Sequence, residues 1–142
     1  MPRGEYANTE HAAVAIVRAA EVARGWQPGP LLAQHAQHEA GCDLLSTPPD
    51  GGPPHAIEVK GWGEPLLATD GSFTYPADIN REQFERAKRD PNWRLEIVGN
   101  LTAVRSGNGV AECLTLTAAE VVERAACWRY RVTLDDLDER VR

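Results

Sequence analysis

Gly41-Cys42-Asp43-Leu44-Leu45-Ser46, followed after a short loop by His55-Ala56-Ile57-Glu58-Val59-Lys60-Gly61, is the stretch that decides the fold. Both segments read as strands. The loop between them, Thr47-Pro48-Pro49-Asp50-Gly51-Gly52-Pro53-Pro54, holds four prolines and two glycines. That composition forbids regular structure and makes a hairpin connection plausible. Strand side chains alternate faces, so Glu58 and Lys60 share one face while Ile57 and Val59 share the other. Ile57 and Val59 can meet a core. Glu58 and Lys60 set a carboxylate beside an ammonium, and a hairpin brings Asp43 to the same face. Two carboxylates can hold a hard cation such as Mg²⁺ through oxygen. A lysine beside them can orient a water and offset charge building on a phosphate. The bland reading of the triplet is an ion pair in which Lys60 merely offsets Glu58 on a solvated sheet face.

The rest of the chain supplies the frame. Ala13, Ile16, Val17 and Ala20 recur at helical spacing, which predicts a helix from an Asn8 cap to about Arg24, ended by Gly25. Residues 30–40 fit either a short helix or an irregular approach to a strand. Phe73 and Tyr75 alternate in a segment, 65–75, expected to hold a third strand. Asn80 with Gln83 forms a capping box for a helix that stops before Pro91. Trp93–Gly99 and Val110–Leu116 read as strands, Thr117 with Glu120 caps a further helix, and Arg129–Leu134 is expected to be the last strand. This order suits an α/β sandwich with a mixed central sheet flanked by helices. The helix before Trp93 is long enough for a crossover between parallel strands. At 142 residues the expectation is one domain, 1–142, with a charged tail over 135–142 that is free to fray.

Composition narrows the function. Cys42, Cys113 and Cys127 are too few and too scattered for a disulfide framework, which suggests reduced thiols and a cytoplasmic protein. His35 and His38 lack the further ligands a zinc site needs. No apolar run approaches a membrane span and no signal peptide is visible. The net charge of -6 lies in residues 31–80, where seven acids face Lys60 alone. That segment suits cation capture. It opposes avid binding of nucleic acid, whose affinity comes largely from Lys and Arg. The basic group Arg81, Arg86, Lys88, Arg89 and Arg94 is diluted by Glu82, Glu85 and Asp90. The isolated chain is therefore expected to bind duplex DNA no tighter than about 10⁻⁶ to 10⁻⁴ M. There is no nucleophilic triad, and Gly61-Trp62-Gly63 lacks the Lys-Ser or Lys-Thr of a phosphate loop.

A lone Asp followed by Glu-x-Lys resembles the PD-(D/E)XK nuclease superfamily. The likeness runs further, through Gly25-Trp26-x-Pro28, Gly-x-Asp-x-x-Ser at 41–46, Ile-Glu-Val-Lys-Gly at 57–61, Asn80-x-x-x-Phe84-x-x-Ala87, and Trp93, Leu95, Val98 and Asn100. In that order these motifs resemble the NO VEIN C-terminal domain family, related to Mrr-type restriction domains, over about residues 9–133. Cys42 and Phe84 depart from the aromatic and the Trp usual there. The resemblance implies a restriction-endonuclease-like sandwich and a metal-dependent nuclease acting on nucleic acid, DNA before RNA, in restriction or defence. It implies Asp43, Glu58 and the Val59 carbonyl as ligands of Mg²⁺ or Mn²⁺, with Lys60 catalytic beside Asp43 and Glu58. Glu21, on the edge of the first helix's apolar stripe, is a further candidate ligand, since a helix Glu serves so in some relatives. Its alternative is an exposed helix acid. Glu39 is either a second acid at the site or a solvated charge. Implied partners are a helicase or methyltransferase, or a second copy pairing two sites across a duplex. The rival function is a nuclease-like module that binds without cutting.

Overall fold

The computed structural model describes residues 2–126 and 131–142, and the side chains of 9–125 and 131–142. The elements, in chain order, are α1 (Pro2–Ala23), β1 (Gln27–Pro28), α2 (Gln34–Ala40), β2 (Leu44–Thr47), β3 (His55–Gly61), α3 (Arg81–Arg89), β4 (Arg94–Gly99), α4 (Leu101–Arg105), β5 (Glu112–Thr117), α5 (Ala118–Arg124), β6 (Ala125–Ala126) and β7 (Arg131–Val132), with a 3₁₀ turn at Asp138–Arg140. The first five strands form one sheet in sequence order. β1–β2, β2–β3 and β4–β5 are antiparallel, while β3–β4 is parallel and joined across α3. The fold is thus α/β, a five-stranded mixed sheet with helices on both faces. Among the described residues no helix is long and apolar enough to cross a membrane.

Two apolar layers hold the sheet. Ala13, Val14 and Val17 of α1 pack on Leu44, Ile57, Val59 and Val98. On the other face Trp93, Leu95, Ile97, Leu114 and Leu116 meet Ala87 of α3 and Val121 of α5. Alternation along β3 therefore splits its side chains as expected, with Ile57 and Val59 toward α1 and Ala56 toward the opposite core. Both expected capping boxes form, Asn80 with Gln83 and Thr117 with Glu120.

Several expectations are corrected. Helix α1 begins at Pro2, so Asn8 lies within it and does not cap it. Within residues 30–40, of the two readings left open, the short helix forms, as α2 over Gln34–Ala40. The third strand expected in 65–75 does not form; that segment holds only an isolated bridge, Leu67↔Phe73. Pro65 and Pro76 remove ladder donors there, and Gly71 turns the chain at φ +85°. Helix α4 carried no strong sequence signal. The last strand is Arg131–Val132; positions 129–130 of the expected strand lie outside the described residues. The tail is tied down instead of frayed. Leu134 and Leu137 are buried in the core, and Arg142 exchanges two backbone hydrogen bonds with Cys113.

Two glycines position the site. Gly61 ends β3 where a Cβ would lie 3.1 Å from Ala13 Cβ and from the Thr9 carbonyl, so α1 can pass close to the strand's end. Gly41 closes α2 at φ +67°, and a Cβ there would sit 2.5 Å from the Glu82 carbonyl of α3. The indole Nε1 of Trp93 donates to the Gly41 carbonyl at 2.8 Å, and Arg86 Nη1 donates to the Ala40 carbonyl at 2.9 Å. The chain leading into Asp43 is thereby clamped to α3 and β4.

Candidate active site

Asp43, Glu58, Val59 and Lys60 line one cavity of about 210 Å³, with Glu10, Gln37, Tyr75 and Gln83 among its other walls. The β2–β3 pairing Leu44↔Ile57, carried one step further, sets Asp43 across from Glu58. Asp43 Oδ2 accepts a hydrogen bond from the Val59 N–H at 2.8 Å, which fixes the carboxylate over β3. Both acids are buried, at 5% and 3% exposure. Lys60 Nζ lies 3.2 Å from Glu58 Oε2, and it donates to Gln83 Oε1 at 3.4 Å. That Gln83 oxygen also accepts the Asn80 N–H at 2.9 Å, so the cap of α3 reaches into the cavity.

Electrostatics distinguish this pair from a solvated ion pair. Burial pushes the Glu58 carboxyl up to about 8; Lys60 works against the rise, and the neighbouring Asp43 adds to it. Burial also raises Asp43, opposed by the Val59 N–H, by a hydrogen bond from Glu58 and by the charge of Lys60. A proton on Glu58 then bridges to Asp43, and the titration belongs to the pair. Two buried carboxyls with one ammonium lack a positive charge, and the proton supplies it. A divalent cation could replace that proton.

The other named acids fall elsewhere. Glu21 is buried, but it is not an exposed helix acid and does not line this cavity. It binds Arg94 Nη2 at 2.7 Å and Arg24 Nε at 2.8 Å, in a separate cavity of about 320 Å³ between α1 and strands β4 and β5. Burial raises its carboxyl, and the hydrogen bonds from Arg24 and Arg94 outweigh that and hold it below the ordinary value. Glu39 is exposed on α2 and does not line the cavity. His35 and His38 are both exposed, and His38 Nε2 sits 3.4 Å from Glu82.

Sequence reasoning missed Glu10 and Gln83. Glu10 precedes Glu21 by eleven residues, close to three helical turns, so both project from nearly the same side of α1 about 16 Å apart. The helix face was legible; the turn was not. The contact of Gly61 with Thr9 and Ala13 puts the early turns of α1 beside the site. Gln83 was visible as a capping residue, but its reach to Lys60 depends on the packing of α3. Among the described residues no group of three or more His, Cys, Asp or Glu side chains is placed to hold a metal ion. Compared with family models, with curated proteins and with solved structures, the chain matches none.

Proposed function

We propose that the chain is a metal-dependent phosphodiesterase of the restriction-endonuclease-like, PD-(D/E)XK kind, hydrolysing nucleic acid, with DNA the first substrate to test. One observation carries the reading: Asp43 and Glu58 are both buried and line one cavity with Lys60, whose ammonium lies 3.2 Å from Glu58. The donor set fits a hard cation, because every donor is oxygen and the pair lacks one positive charge. Asp43, Glu58 and the Val59 carbonyl would hold it. When bound, Mg²⁺ or Mn²⁺ supplies polarisation of the scissile phosphate and a more acidic water.

The chain's own residues do the rest. The Val59 N–H holds Asp43 in one orientation. Gln83 and Glu58 restrain the Lys60 ammonium from two sides. Lys60 orients the attacking water and offsets charge on the phosphate oxygens as they become more negative. The α3 cap fixes Gln83 in turn, so the ammonium is placed by two elements of the fold. Without a cation the shared proton and Lys60 balance the two carboxyls, which leaves no positive charge over for a substrate phosphate.

The Lys60–Glu58 contact favours a second reading, because a nuclease-like module that binds without cutting would keep the same ion pair. Cleavage separates the two. Wild type stripped with EDTA and resupplied with Mn²⁺ should cut DNA, and Asp43→Asn, Glu58→Gln and Lys60→Ala should each abolish cutting while staying folded. Full activity in any of the three, in preparations free of contaminating nuclease, would end the assignment.

A further inference from the structure

Tyr75 is the wall between two cavities. On one side lie Asp43, Glu58 and Lys60. On the other is a second cavity of about 230 Å³, lined among others by Phe73, Tyr75, Pro76, Arg131, Thr133 and Asp135. Tyr75 is braced from behind. The Trp62 ring meets it edge-on at 5.2 Å between centroids, and Trp62 Nε1 donates to Thr74 Oγ1 at 3.0 Å. The Thr74 hydroxyl donates in turn to the Pro65 carbonyl at 2.6 Å. Trp62 follows Lys60 by two residues, directly after the end of β3.

Charge is a poor source of affinity here. Lys60 is paired with Glu58, and Arg131 is paired through two nitrogens with Asp78. The segment carrying the site has a net charge of -6. Phosphate-driven binding of a duplex depends on free cations and is weak on such a surface. Stacking on an aromatic ring is the other general source, worth about 1–3 kcal/mol per base, and it needs a base that is not paired.

We propose that the cavity beyond Tyr75 takes an unpaired nucleobase flanking the phosphate held at Asp43, Glu58 and Lys60, so that the substrate is single-stranded nucleic acid. This rests on the phosphodiesterase reading of the site. Tyr75 is the stacking face, and Thr133 and Asp135 supply polar groups for the base edge.

Binding of a short labelled single strand and of the same sequence in a hairpin duplex is measured by fluorescence anisotropy, with Ca²⁺ in place of Mg²⁺. Wild type should prefer the single strand by about tenfold or more, the equivalent of roughly 1.4 kcal/mol. Tyr75→Leu should erase that preference by weakening single-strand binding, while Tyr75→Phe keeps it. An abasic position walked along the strand, read on wild type, should find one position that costs as much as Tyr75→Leu. Equal affinity for strand and duplex, a uniform abasic profile, or no measurable single-strand binding would overturn the proposal. Single-strand preference without Mn²⁺-dependent cleavage would instead remove the phosphodiesterase reading and keep the base pocket.

Discussion

Glu58→Gln isolates the cost of the buried carboxylate. In the unfolded chain Glu58 ionises near 4.5; in the fold burial holds its proton to about 8. Between those values the folded state binds more protons than the unfolded one, so stability falls as pH rises. The Glu58 contribution is full below pH 4.5 and gone above pH 8. At roughly 1.4 kcal/mol per pH unit, the change from pH 5 to pH 8 is on the order of 4 kcal/mol. Asp43 is raised in the same direction, and His55, lowered by burial first and by the charges of Arg94 and Arg24, acts in the opposite sense near neutrality. Both are present in the variant; His55 cancels in the difference, while Asp43 is coupled to Glu58, so the difference between the two proteins reports the Asp43–Glu58 pair. Urea unfolding from pH 5 to 9, in metal-free buffer, should show wild type losing ground steadily to Glu58→Gln. With a urea slope of about 2 kcal/mol/M, the midpoints should separate by about 2 M at the alkaline end. Millimolar Mn²⁺ should flatten the wild-type curve, because a cation held by the ionised pair stabilises the fold by mass action. Parallel curves from pH 5 to 9 would mean that Glu58 ionises as a solvated acid, and the idea of a proton held for exchange with a cation would fail.

Two other substitutions test how the fold places the site. Gly41→Ala puts a Cβ 2.5 Å from the Glu82 carbonyl at a left-handed φ, so it should cost at least about 1–3 kcal/mol in thermal or urea unfolding. Because α3 must retreat, the variant should also lose Mn²⁺-dependent activity out of proportion to its stability. Glu21→Gln removes one of Arg94's two carboxylate partners, Glu96 remaining, and should cost about 1.5–3 kcal/mol at pH 7. Glu21 ionises below its ordinary value, so the stability it contributes is present above pH 4.5 and lost as pH falls; the variant should lack that part of the acid limb. Its Mn²⁺-dependent cleavage should match wild type, and a loss equal to that of Asp43→Asn would return Glu21 to the metal.

What could be read from the sequence follows the range of the interactions. The alternation of Ile57 and Val59 with Glu58 and Lys60 is local and survived folding intact. The two capping boxes are local as well, since Asn80 to Gln83 and Thr117 to Glu120 span one turn each. Phe73 and Tyr75 misled because alternation alone does not make a strand. A strand also needs an unbroken ladder, and Pro65, Gly71 and Pro76 interrupt this one. Glu21 misled because a helical stripe gives a face and not a height along it. Only the contact of Gly61 with Thr9 and Ala13 sets the height, and it joins residues about fifty positions apart. Gln83 escaped as a partner of Lys60 for the same reason. The tail escaped because its charges suggest solvent, whereas Leu134 and Leu137 bury and Arg142 pairs with β5.

Calorimetric titration of Mn²⁺ near pH 7, repeated in two buffers of different ionisation enthalpy, reads the Asp43–Glu58 pair directly. Ligation requires deprotonated carboxylates, so binding must expel the proton the pair holds. Wild type should bind Mn²⁺ and release about one proton per ion, while the Asp43→Asn, Glu58→Gln double variant should give neither signal. Binding without proton release, or binding that persists in the double variant, would place the cation elsewhere and contradict a catalytic metal at this site.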